Sequence, residues 1–277
     1  MNDGNIDFHP EVRRLTEENG LLREELTALL AEAHDLVHTV KPNLLAIYQT
    51  RIGKWELDLL RVRLEYARLK RQVELVQASL NVGEKPDLVA IEGQLELEFL
   101  QWQQRLAEAV GTLEAAEKRL KHLLSPEDSR ELKKLYYALV KKLHPDVNPN
   151  LTPEQQRLWP RVQEAYEAAD IQELRALTLL AEKNAAVAPP PKSLDRLRQN
   201  QQTLEKQIHA TLKEMEQIQS QPPFTLQATL DDSGWVESRR RELEVQTETL
   251  RIQRDALTAH LKILLSGDAY GKCFGKN

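Results

Sequence analysis

Residues 142–149 read KLHPDVNP, and they hold the side chains of this 277-residue chain best placed for chemistry. His144, Pro145 and Asp146 in succession suit recognition more than bond making. An exposed loop carboxylate contributes little to folding but much to a charge-assisted contact with a partner. A second candidate is the run HDLVH, in which His34 and His38 have the i and i+4 spacing of zinc-binding helices. It carries Asp35 where a zinc protease carries glutamate, and no third ligand follows nearby. Leu36 takes the apolar seam, so both rings should point away from it, and no metal ion is expected there. The sequence offers no glycine-rich phosphate loop and no nucleophile with a plausible base, so neither enzyme activity nor a cofactor is expected.

Residues 125–180 must position the tripeptide. Ser125 suits a helix cap, Pro126 the first turn, and Glu127 and Asp128 the positive end of the helix. At about 100° per residue, Leu132, Leu135, Tyr136, Leu139 and Leu143 share one face, while Arg130, Lys133, Lys134, Tyr137 and Lys141 share the opposite one. The first face should be buried; the second offers a positive stripe with Tyr137 exposed at its centre. Pro145 disfavours helix at His144, so the helix should stop near Leu143 and hand over to the exposed loop VNPNLTPEQ. Leu158, Val162, Ala165, Tyr166 and Ala169 give the inward face of a further helix, which Pro160 should kink or restart.

Two helices joined by a loop that begins His-Pro-Asp, with Trp159, Val162, Ala165 and Tyr166 spaced as they are, resemble the J-domain of the DnaJ (Hsp40) co-chaperone family. The likeness covers about 55 residues, a small share of the chain. It implies that His144, Pro145 and Asp146 form a signalling loop that docks on Hsp70 and stimulates its ATPase. It also makes Lys133, Lys134, Lys141 and Lys142 candidate docking charges on the preceding helix, around Tyr137. The sequence departs from the family in placing Tyr137 and Ala138 where two adjacent basic residues are usual. The short first helix of the family has no counterpart except the end of a long ladder near RLKHLL, 119–124. No Gly/Phe-rich segment, zinc-binding cysteine set or β-rich client domain follows.

Around this segment run heptad ladders. Leu15, Asn19, Leu22, Leu26, Leu29, Ala33, Leu36 and Val40 alternate steps of four and three, the spacing that keeps one seam toward a partner helix. Lys41-Pro42-Asn43 should break that helix. A second ladder runs from Tyr48 to Leu80 through Trp55, and a third from Leu88 to Leu123 through Trp102, with both tryptophans expected in the core. The glycine and proline of NVGEKPD join them, predicting an antiparallel hairpin. AAVAPPPKS reads as a linker; beyond it, one seam runs from Leu194 to Ile218 and another repeats every seven residues from Val236 to Leu264. The two are expected to fold back on each other.

The expectation is an all-α protein: long antiparallel coiled-coil hairpins flanking a small J-domain-like helical domain. The predicted parts are an amphipathic helix at 1–42, a hairpin at 43–124, a J-like segment at 112–182, a linker at 183–192 and a second hairpin at 193–277. With 29% charged residues, 5% aromatics and 10 glycines, the composition is poor material for a sheet. A net charge of -5 argues against general nucleic-acid binding. The lone Cys273 and the lack of a long apolar run point to a cytoplasmic protein that engages no membrane. Two readings stay open: an Hsp70 adaptor whose arms bind a client, a scaffold or a second copy, and a coiled-coil scaffold whose J-like segment no longer couples to Hsp70.

Overall fold

Every regular element among the residues described by the computed structural model, 10–183 and 193–266, is a helix. They are α1 (Pro10–Asp35), α2 (Lys41–Tyr48), α3 (Lys54–Asn81), α4 (Leu88–Lys121), α5 (Pro126–Leu143), α6 (Pro153–Glu167), α7 (Ile171–Lys183), α8 (Leu194–Gln219), α9 (Gln227–Asp231) and α10 (Ser233–Leu265). The all-α class expected from the heptad spacing is therefore what folds. None of the described helices is long and apolar enough to cross a membrane. The expected linker, apart from Lys183, and Cys273 lie outside the described residues.

Pro42 does not break the chain's first helix. The turns Leu36–Val40 and Gln49–Gly53 are π-helical, and helix runs through α1, α2 and α3 from residue 10 to 81. The Lys41 amide reaches back five residues to the Leu36 carbonyl. Widening the turn in this way spares the backbone the clash that a proline ring makes with the carbonyl four residues earlier. Pro160 likewise lies inside α6 without ending it.

Two compact units form. In the first, α5, α6 and α7 pack around Leu139, Val140, Leu143, Val162, Leu174 and Leu177, all fully buried. Leu30 and Ala31 of α1 close this core from outside. The expected contribution of 119–124 shrinks to Leu124, because α4 has ended at Lys121. Beside this core, α8 runs parallel to α1: Asn19 of α1 donates from Nδ2 to the Leu197 carbonyl at 3.0 Å, and Leu26 meets Leu204 and Ile208 further along.

In the second unit, α3 and α4 form the expected antiparallel pair, and α10 lies parallel to α3. Val76, Ile91, Leu95, Leu261 and Leu264 form a core near one end, and Ile52, Leu59, Leu230 and Leu243 one near the other. The predicted hairpin of 193–277 is not formed, since α8 takes α1 as its partner and α10 takes α3. Leu230 of the connecting helix α9 is buried beside Ile52 and Leu243, which anchors the connection within the second unit. Trp55 packs beside this core as expected. Trp102 does not: it is exposed on α4 with Arg105 above its ring.

Candidate partner-docking site

The loop at 144–148 is built by its own residues. Ser125 caps α5 as expected, and α5 ends at Leu143 because His144 turns extended, with ψ 129° ahead of Pro145. The His144 carbonyl then accepts the amides of Val147 at 3.2 Å and Asn148 at 2.9 Å. The Asp146 amide donates to His144 Nδ1 at 3.1 Å, and Asn148 Nδ2 caps the Lys141 carbonyl at 2.7 Å. His144 is half-buried with its ring edge-on to Trp159, and burial lowers its pKa against the opposing pull of Asp146. Val147 is buried against Leu26, Leu204 and Ile208. This pinning leaves Pro145 and the Asp146 carboxylate exposed at the tip. A capping box of Thr152 and Gln155 then starts α6.

The apolar face of α5 is buried as predicted: Leu132, Tyr136, Leu139 and Leu143 lie in the core, with Leu135 half-buried. The opposite face departs from expectation. Tyr137 is not free at its centre; it is half-buried and donates to Glu24 of α1 at 3.0 Å. Lys141 pairs with the same carboxylate, and these two partners hold Glu24 below the usual carboxylate range. Burial and the Glu24 charge together raise Tyr137. Lys133 pairs with Asp35 at 2.7 Å, and Lys142 with Glu182 of α7 at 3.0 Å. Lys134 stays exposed. An exposed pair such as Lys141–Glu24 contributes about 0–1 kcal/mol, so it chooses which face of α5 meets α1 more than it fastens it.

The fastening is apolar and aromatic. Tyr136 and Tyr166 pack with centroids 4.2 Å apart, and His34 of α1 stacks on Tyr136 at 4.8 Å. Tyr166 donates to Asp35 at 2.6 Å. Burial first, and then the neighbouring His38, depress His34 to about 4, so at neutral pH it is an uncharged ring. Away from the seam that Leu36 occupies, His34 packs on the aromatic residues of α5 and α6. Ala169, expected on the inward face of α6, instead lies just beyond it with φ 56°.

Of the sequence-predicted residues, His144, Pro145 and Asp146 form one loop, and Lys133, Tyr137 and Lys141 one face of α5. Glu24 and Asp35, their partners on α1, were missed. Their signal was the acidic positions facing outward from the first seam, but nothing in that spacing says which helix they meet. Comparison of the chain with models of known protein families, with curated proteins and with solved structures finds no match.

Proposed function

We propose that residues 125–183 act as a J-domain that docks on a cytoplasmic Hsp70 and stimulates its ATPase, with the long helices serving as arms for a client, a scaffold or a second copy. The observation that carries this reading is the pinned loop. His144, Val147 and Asn148 spend their hydrogen bonds and packing on presenting Pro145 and Asp146 to solvent at the end of a basic helix. A simple helix stop needs none of that. The face implied to dock on Hsp70 is partly occupied by α1, so the activity belongs to a form in which Glu24 and Asp35 give way to the partner's acidic groups. The scaffold reading has support of its own: Lys133, Tyr137, Lys141 and Lys142 already have partners within this unit. Steady-state ATP hydrolysis by Hsp70, with and without the full-length protein, separates the two. The adaptor reading expects stimulation that Asp146→Asn removes while the melting temperature stays unchanged. Equal turnover with either protein supports the scaffold.

A further inference from the structure

The fold brings to the HDLVH run a carboxylate that its local sequence lacks. Glu167, at the last turn of α6, comes to His34 and His38, and each of the three offers a ligand atom within 4.8 Å of the others. The His34 and His38 rings stack at 4.2 Å, and His38 Nδ1 lies 3.3 Å from Glu167 Oε1. His38 sits in the π-helical turn Leu36–Val40; such turns occur frequently at functional sites because they re-aim one side chain against its neighbours. His34 Nε2 is buried and has no hydrogen-bond partner, an arrangement that a protein normally avoids.

We propose that His34, His38 and Glu167 bind one divalent transition-metal ion of the zinc type, fastening α1 to α6. Two imidazoles and a carboxylate are a ligand set that such ions accept, leaving one position for water. Bonds of about 2.0–2.1 Å in tetrahedral geometry require ligand separations of about 3.4 Å, which side-chain rotation can supply from the present spacing. The site is structural and not hydrolytic: Asp35, in the place of a protease's general base, is taken by Tyr166 and Lys133.

The test is equilibrium dialysis of the metal-free full-length protein against Zn²⁺ and against Co²⁺ at neutral pH, in a Cys273→Ser background so that no thiol contributes. One ion per chain is expected, with the visible absorption of near-tetrahedral Co²⁺. His38→Ala and Glu167→Ala, both at positions outside the core, should each weaken binding at least about tenfold. The absence of saturable binding, or an affinity unchanged in either variant, overturns the proposal.

Discussion

Two parallel helix pairs in this protein are built from the same heptad spacing, and they differ in what the seam contains. In the second unit, α3 and α10 bury Leu59, Val76, Leu243 and Leu261 with one threonine, Thr247, leave Arg68 Nε and Arg240 Nε buried without a partner, and flank the seam with charge pairs, Arg251 to Asp58 at 2.7 Å and Arg254 to Glu65 at 2.6 Å. In the first unit, α1 and α8 bury Asn19, Thr27 and Thr211 among their leucines. Asn19 Oδ1, Arg23 Nε and Gln207 Oε1 are buried on this pair with no hydrogen-bond partner. A polar group in a seam fixes which helix is accepted and lowers the stability of the pair. What sets the first seam apart is the buried Asn19, which makes it the more specific clasp, and it belongs to the helix that covers the basic face of α5.

The largest effect should come from the core beneath that face. Leu139→Ala removes a fully buried side chain shared by the three short helices and should cost about 2–5 kcal/mol. Amide exchange should quicken across α5, α6 and α7 and stay slow in α10; loss of protection in both units alike would erase the distinction between them. Acid should next weaken the packing of α1 on α5 and α6. The folded-state pKa of His34 is depressed to about 4, against about 6.5 when unfolded, so its contribution is present above pH 6.5 and lost as the pH falls toward 4. The loss is roughly 1–2 kcal/mol, held below the full linkage value by partial exposure of the ring. Melting temperature followed from pH 7 to 4 should fall less in His34→Leu than in the wild type.

Asn19→Leu should strengthen the clasp by about 1 kcal/mol, since it removes a buried acceptor that lacks a partner and lengthens the apolar seam. Slower amide exchange in α1 would show this, and faster exchange would mean that the two hydrogen bonds of Asn19 Nδ2 outweigh the orphaned oxygen. The smallest effect is at Ala169, whose φ of 56° lies in the left-handed region that glycine adopts without strain. Ala169→Gly should stabilise the first unit by about 0.5–1 kcal/mol in urea titrations while leaving α10 untouched.

The faces of the helices were legible in the sequence; their partners were not. Leu197, Leu204, Ile208, Thr211 and Met215 are buried as the ladder of α8 predicts, yet the spacing of that ladder does not say which helix it meets. The helix stop at His144 followed from Pro145, a local constraint. The burial of Tyr137 against Glu24, and the approach of Glu167 to His38, join residues more than a hundred positions apart, which no local periodicity encodes. The π-helical turns were missed because proline rules describe what a regular helix cannot hold, and this chain answers by widening the turn.

The proposal to be tested is that the face of α5 covered by α1, together with the loop at 144–148, works as a J-domain does. Stimulation of Hsp70 ATPase by Glu24→Gln tests it most directly, because that change removes the charge that pairs with Lys141 and leaves Tyr137 only a weaker neutral acceptor, without adding a charge of its own. The account predicts several-fold greater stimulation than the wild type at equal concentration, abolished again in Glu24→Gln/Asp146→Asn. Stimulation no greater than that of the wild type, or a gain that survives loss of the Asp146 charge, would contradict it.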